Sequence, residues 1–355
     1  MNSLVCATCN PYAGSDADPL TVIAALAGRK NFVFSDRFGF LNMFSGWNFD
    51  RAAKPLPLPR LRGTRKEFDD LLDKELSRIE KCGKDLVLLY SGGIDSSCLL
   101  CAMLMRGMRR FQVLYSDSSV QENPVLFAML KEEHGIELRH FSSETYEEEL
   151  QGALKNGLLI TGTYGDKLYN ADFKKEMDVP AGMAWSSFLL LNGMSADTIG
   201  KLEASIAHYG IPVQTADEML FWLSFSVLWD FGQPMYAILA MPGCNNYAAP
   251  FGSAGFQQWA MARMPGIQDV FGKDTASYKP EMKAVIGQYT HDYDYLNRKG
   301  KQHSWRTMLG NAGTGGFIRD SLSVRQIVRP GVPRDRCERI MGKALQNYRI
   351  TSKQE

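Results

Sequence analysis

The hydrophobic positions of residues 64–161 follow two patterns in turn, one typical of helices and one typical of buried strands. Thr64 and Glu67 have the spacing of a capping box, and apolar residues then recur every three or four positions until Gly83, which predicts a first helix. Apolar runs predict strands at 86–90, 111–116, 136–141 and 158–161, and helical spacing predicts helices at 96–106, 123–134 and 145–155. This alternation predicts an α/β fold with a doubly wound parallel sheet.

The pattern differs on both sides of this region. After about residue 180 it predicts helices at 186–194, 196–209, 216–229 and 255–264, and no further strand of comparable clarity. Residues 1–62 are irregular apart from a strand at 32–35, and alternate prolines make 54–60 an extended connector. We therefore expect an irregular N-terminal segment (1–62), an α/β core (63–180) and a mainly helical portion (181–355) with a basic tail.

Composition and charge narrow the functional classes. The 355 residues are 45% hydrophobic and 22% charged, which is ordinary globular usage and excludes a collagen-like or disordered chain. A formal charge of +1 excludes a general electrostatic attraction to nucleic acid or to a membrane surface. The odd number of cysteines, seven, and the lack of a signal-peptide pattern or an apolar span lead us to expect reduced thiols in a cytoplasmic protein without membrane contact.

The clearest chemical motif follows the first strand of the predicted core. Ser91, Gly92 and Gly93 join this strand to a helix, and such a turn lets the backbone approach an anion closely. The helix N-terminus adds unpaired N–H groups and a partial positive charge, and Ser96 and Ser97 add hydroxyl donors. A carboxylate beside phosphates, here Asp95, is explained by Mg²⁺, which binds one or two carboxylates together with phosphate oxygens. The motif therefore predicts a site for a nucleotide and Mg²⁺.

Ser-Gly-Gly-x-Asp-Ser after an apolar strand is identified as the PP-loop of the ATP pyrophosphatases, which cleave ATP between the α- and β-phosphates and leave an adenylated substrate. The rest of the chain resembles the synthetase domain of asparagine synthetases and of their relatives, the β-lactam synthetases and lasso-peptide cyclases. The segments that carry the resemblance, in chain order, are 36–39 (Asp-Arg-x-Gly), 158–168 (Ser-Gly-x-Gly-x-Asp-Glu-Leu), 250–265 (the Pro-Phe-Leu-Asp helix), 278–283 (Lys-x-x-Leu-Arg) and 298–301 (Arg-x-Lys).

The resemblance implies roles for several residues. Asp166 would hold Mg²⁺ together with Asp95, and Gly162 would lie in the second nucleotide-binding loop. Asp117 would contact adenosine, and Lys299 or Lys301 would stabilise the oxyanion or the α-phosphate. Tyr164 would help to deprotonate an attacking amine. These residues are Gly162, Tyr164, Asp166, Lys299 and Lys301, with Asp95 and Asp117 from the core strands.

Three features differ from the family pattern. Thr163 stands where asparagine synthetases have Glu and β-lactam synthetases have Tyr, so the resemblance does not specify asparagine as the product. The family's glutaminase has its nucleophilic Cys directly after the initiator Met, whereas this chain has Asn2. With about 90 residues before the PP-loop, residues 1–62 fit a degenerate remnant of that domain, and we expect no glutamine hydrolysis.

The leading hypothesis is an ATP- and Mg²⁺-dependent, AMP-forming ligase. It would adenylate a small-molecule or peptide carboxylate and form an amide with ammonia or an amine, and it leaves a homodimer open. Two alternatives remain: a PP-loop enzyme that modifies nucleobases or tRNA, with the basic tail on RNA, and a non-catalytic nucleotide-binding protein.

Overall fold

The computed structural model describes residues 5–6, 32–33, 56–133, 135–142, 144–169, 182–191, 194, 196–227, 229, 246–264 and 278–298. The chain divides into two compact units, each built from separate segments. One unit comprises Met1–Leu56, Asp172–Gln233 and Gly313–Glu355, and the other comprises Pro57–Ala171 and Pro234–Ala312. All the described residues of the candidate site belong to the second unit.

In chain order the strands of the described part are β1 (Val5–Cys6), β2 (Phe32–Val33), β3 (Asp85–Tyr90), β4 (Phe111–Tyr115), β5 (Ile136–His140), β6 (Gly157–Thr161) and β7 (Tyr247–Ala248). The α-helices are α1 (Arg65–Glu80), α2 (Ile94–Met105), α3 (Asp117–Glu122), α4 (Pro124–Glu132), α5 (Tyr146–Asn156), α6 (Trp185–Leu191), α7 (Ala196–Tyr209), α8 (Ala216–Trp222), α9 (Ala254–Arg263), α10 (Pro280–Thr290) and α11 (Tyr293–Arg298). Short 3-10 turns lie at Gly165–Leu168 and Pro250–Gly252, and a π-helical turn spans Leu223–Val227. None of the described helices is both long and apolar enough to cross a membrane.

A five-stranded parallel sheet organises the second unit. Its strand order is β5-β4-β3-β6-β7. The chain runs outward from β3 through β4 to β5 and then returns to the other side of β3 as β6. The carboxyl ends of β3 and β6 therefore meet where the strand order reverses, which is the place where open α/β sheets bind ligands.

The central strand β3 is buried on both faces. Val87 and Leu89 pack with Leu159 and with helix α5 in one hydrophobic cluster. Leu88 and Tyr90 point to the opposite face because strand side chains alternate, and both are fully buried. Two covered faces explain why the strand is read in the sequence as a continuous apolar run.

The structure confirms the α/β class, the parallel sheet and the four predicted core strands to within one residue at either end. Both capping boxes are present, at Thr64 and at Thr215, and α7 has the predicted bounds.

Three expectations about elements are wrong. The predicted helix at 123–134 is two helices, because Asn123 ends α3 and caps α4: its Oδ1 accepts a hydrogen bond from Leu126 N at 3.2 Å. The predicted helix at 216–229 leaves the α form after Trp222 and continues as the π-helical turn. A further strand does occur in the second half, since the two-residue strand β7 pairs with β6, but it is too short to give a sequence pattern.

The first unit is described by itself. β1 and β2 form a two-residue parallel pair, Val5 beside Phe32 and Cys6 beside Val33. In the same unit, α6 packs against α7 and α8, and an isolated bridge joins Ala184 to Thr215. The helical reading of 186–222 therefore holds within this unit.

Candidate functional site

The predicted site residues of the sheet unit lie at one edge of the sheet. Ser91 follows β3, Asp117 comes two residues after β4, and Gly162 follows β6. Parallel strands end at the same edge, so the fold brings these loops together although the sequence separates them.

The turn after β3 has a shape that only glycine fits. Gly92 has φ +74°, and a Cβ there would lie 2.3 Å from the carbonyl oxygen of Ser119 and 2.7 Å from Glu122 Cβ. Gly93 is the N-cap of α2 and brings no side chain to its N-terminus. The loop therefore packs against α3 and leaves the start of α2 to its backbone N–H groups, as anion sites require.

The serines of this loop divide into two groups. The Ser97 hydroxyl is buried and donates to the carbonyl oxygen of Gly92 at 3.3 Å. The Ser96 hydroxyl accepts from Ser91 N at 3.2 Å and lies 3.0 Å from Ser91 Oγ. These bonds hold the turn in shape, and Ser91, half-buried, is the serine of this group with an exposed portion.

Asp95 and Asp166 meet across the gap between β3 and β6, on one lysine. Lys279 Nζ donates to Asp166 Oδ1 at 2.6 Å and also to Asp95 Oδ1. The carboxylate side chains stay 20% and 24% exposed, whereas the lysine side chain is only 2% exposed. The two carboxylates are therefore close enough to share one cation, and they remain accessible from outside.

Two glycines make this approach possible. A Cβ on Gly162 would lie 2.8 Å from Ser96 N and 2.9 Å from Asp95 Cβ. A Cβ on Gly165 would lie 2.4 Å from Asp95 Cγ. Gly162 therefore acts in the structure as a close-packing position between the β6 loop and the start of α2.

The charges of the site are coupled. Burial by itself lowers the pKa of Lys279, but the negative charges of Asp166 and Asp95 outweigh it, and the net pKa lies well above that of an ordinary lysine. Burial raises the pKa of Tyr278, whose hydroxyl lies 3.3 Å from Asp166 Oδ1 as a hydrogen-bond donor. Lys279 is therefore a fixed positive charge, and Tyr278 is a neutral donor.

Tyr164 lies in the β6 loop with a left-handed backbone, φ 74°, and only 7% of it is exposed. Its ring packs on Gly252, where a Cβ would come within 2.6 Å of Tyr164 Cδ2. A left-handed backbone at a bulky residue is uncommon and tends to occur at functional sites and tight turns. Thr163, the next residue upstream, accepts a hydrogen bond from Thr161 Oγ1 at 2.7 Å.

Asp117 lies one strand away from this pair, at the start of α3. Its side chain is 81% exposed, and Oδ1 is 3.1 Å from His140 Nε2. It is thus accessible to a ligand but not in contact with Asp95 or Asp166 in any bond found.

Lys299 and Lys301 lie outside the described residues, and their expected role stays a prediction. The lysine that the structure brings to the carboxylates is Lys279, which sequence reasoning did not choose. A signal was present, because residues 278–283 had been matched to the Lys-x-x-Leu-Arg segment.

The residues present fit a magnesium ion that is held partly by its substrate. Among the described residues, no group of three or more His, Cys, Asp or Glu side chains is placed to hold a metal. Asp95 and Asp166 supply two carboxylates, and Mg²⁺ commonly completes its shell with water and phosphate oxygens. The donor set is therefore that of a metal–nucleotide site rather than of a closed metal cage.

A comparison of the sequence with protein-family models and with curated proteins finds no match. The functional argument accordingly rests on the residues and their arrangement.

Proposed function

We propose that this protein is an ATP-dependent, AMP-forming ligase that activates a carboxylate and joins it to ammonia or an amine. The proposal includes the finer fold assignment, a doubly wound PP-loop domain. The observation that carries it is the meeting of the Ser91–Gly93 turn, the pair Asp95 and Asp166, and Lys279 at the point where the strand order reverses.

These groups suit the cleavage of ATP at the α-phosphate. A carboxylate oxygen of the substrate attacks the α-phosphorus, the bond to the β-phosphate oxygen breaks, and pyrophosphate leaves with the electron pair. The backbone N–H groups at the start of α2 and the Lys279 ammonium are fixed donors for the charge that builds up on this leaving group. Mg²⁺ bound by Asp95 and Asp166 would supply further charge neutralisation.

The second half-reaction needs less from the protein. The amine nitrogen attacks the acyl-adenylate carbonyl, AMP leaves, and the amine loses a proton. In this proposal Tyr164, beside the carboxylate loop, is the candidate acceptor of that proton, and Lys299 or Lys301 is the candidate for the oxyanion.

The proposal is tested by the products formed from ATP. The full chain is incubated with ATP, Mg²⁺, ammonia or simple amines, and a defined pool of amino acids, small dicarboxylic acids and short peptides. AMP and pyrophosphate in equal amounts, with ATP–pyrophosphate exchange that depends on the acid, are the expected result. Release of ADP contradicts it. Exchange that requires RNA instead of an acid would favour nucleobase modification, and nucleotide binding without turnover would favour a non-catalytic protein.

A pair of variants connects the products to the site. Asp166→Asn keeps the shape of the side chain and removes its charge, so we expect AMP formation to fall about 10²-fold or more. Asp69→Asn is the matched control, because Asp69 forms a surface ion pair with Arg65 on α1 at 2.7 Å. An equal loss in both variants would contradict the assignment of Asp166.

A further inference from the structure

The position of Lys279 has a consequence for how metal reaches the site. Its ammonium contacts Asp95 Oδ1 and Asp166 Oδ1, the same oxygens that would bind Mg²⁺. A divalent ion that approaches the carboxylates therefore meets a positive charge already bonded to both of them.

The lysine has little freedom to leave. Its side chain is 2% exposed, and its ammonium also lies 5.2 Å from the centre of the Tyr278 ring. Its backbone has φ 52° at the N-cap of α10, directly before Pro280, and such a conformation persists only where the surroundings hold it. Helix α10 packs along α2, which carries Asp95, so both partners are held by elements of one unit.

The charges show when a divalent ion fits. Two carboxylates and one ammonium sum to −1, so a divalent ion alone makes the group +1 and places two cations side by side in a partly buried site. A nucleotide changes this balance, because its phosphates carry several negative charges and offer oxygens to both cations. Among the described residues, moreover, no third metal-binding side chain joins the two carboxylates.

We propose that Lys279 excludes free divalent ions from Asp95 and Asp166, so that metal enters only together with nucleotide phosphates. Lys279 thereby selects the metal–nucleotide complex over the free metal and over the free nucleotide. This inference rests on the proposed function, in which the two carboxylates are the metal ligands.

The test is a titration of the full chain with Mn²⁺ alone, followed by electron paramagnetic resonance of the free ion. The wild type should show no saturable site at Mn²⁺ concentrations where Lys279→Met binds one ion at least tenfold more tightly. Lys279→Arg keeps the charge and should resemble the wild type. The double variant Lys279→Met with Asp166→Asn should lose the gained site, which places that site between the carboxylates.

A second measurement keeps the test valid if Lys279→Met folds poorly. The thermal midpoint of the wild type should not move with Mn²⁺ alone and should rise with Mn²⁺ plus a non-hydrolysable ATP analogue. Saturable Mn²⁺ binding to the wild type, or a rise of its midpoint with Mn²⁺ alone, overturns the inference.

The two failures are distinguishable. If the wild type binds Mn²⁺ alone and still forms AMP and pyrophosphate, the exclusion is refuted and the proposed function stands. If Lys279→Met gains the Mn²⁺ site but the wild type releases ADP, the exclusion stands and the ligase proposal fails.

Discussion

Replacement of Gly92 by alanine is the most direct test of the phosphate-binding turn. The new methyl group faces two separate problems. The backbone has φ +74°, a left-handed conformation that L-residues rarely adopt, and the Cβ would come within 2.3 Å of Ser119 O. The second neighbour, Glu122 Cβ at 2.7 Å, belongs to the same short helix, so α3 must move away from the loop.

The expected magnitude is the sum of these two costs. A left-handed alanine costs about 1–2 kcal/mol, and the insertion of a methyl group into a closely packed position costs about 1–3 kcal/mol. Gly92→Ala should therefore lower the free energy of unfolding by about 2–5 kcal/mol, against about 5–15 kcal/mol for a whole protein. Nucleotide affinity should fall as well, because the turn that would hold the phosphates is the part that moves.

Gly107 offers a matched control within the same unit. It has φ +81°, and a Cβ there would meet no atom within 4 Å. Gly107→Ala therefore carries only the conformational cost of about 1–2 kcal/mol and should leave nucleotide affinity unchanged. The two variants are compared by urea unfolding and by titration with an ATP analogue. Equal losses of stability, or unchanged nucleotide binding in Gly92→Ala, would refute this account of the turn.

Three further outcomes are expected. The Glu67 carboxylate accepts from Arg62 N and Thr64 N, which lowers its pKa, so its contribution to stability is full above the unfolded value of about 4.3 and is lost as pH falls through the lower folded value; Glu67→Gln should weaken that pH dependence in urea unfolding. Tyr164→Phe should retain acid-dependent ATP–pyrophosphate exchange and lose amide formation about 10²–10⁴-fold, and unchanged amide formation would leave Tyr164 only its packing role. Asp117→Asn should raise the KM for ATP with little change in kcat, and an unchanged KM would argue against an adenosine contact.

Local patterns made much of the sheet unit predictable. Strand β3 is read correctly because both of its faces are buried, and α1 begins where the spacing of Thr64 and Glu67 predicts it. The Ser91–Gly93 turn is also a local feature, because the strand, the glycines and the following helix are contiguous. Its position at the sheet edge then follows from parallel topology.

Other parts depend on contacts that no local pattern contains. Strand β7 has two residues and exists because β6 offers an unpaired edge. Helix α10 was not predicted, although Met282, Val285 and Ile286 are spaced for one face, since the apolar signal is short and follows a proline. Helix α3 is shorter still, with six residues.

The position of Lys279 is the clearest of these cases, and it changes the meaning of the acidic pair. Lys279 is 184 residues from Asp95 and 113 from Asp166, so only the packing of α10 along α2 brings the three together. A glycine turn at a helix N-terminus attracts phosphate, whereas two carboxylates beside it repel phosphate. The arrangement therefore needs cations before an anion can bind, and Lys279 supplies one of them from within the chain. A plain anion site would gain nothing from the acidic pair, which is why the three residues together favour a site for a metal–nucleotide complex.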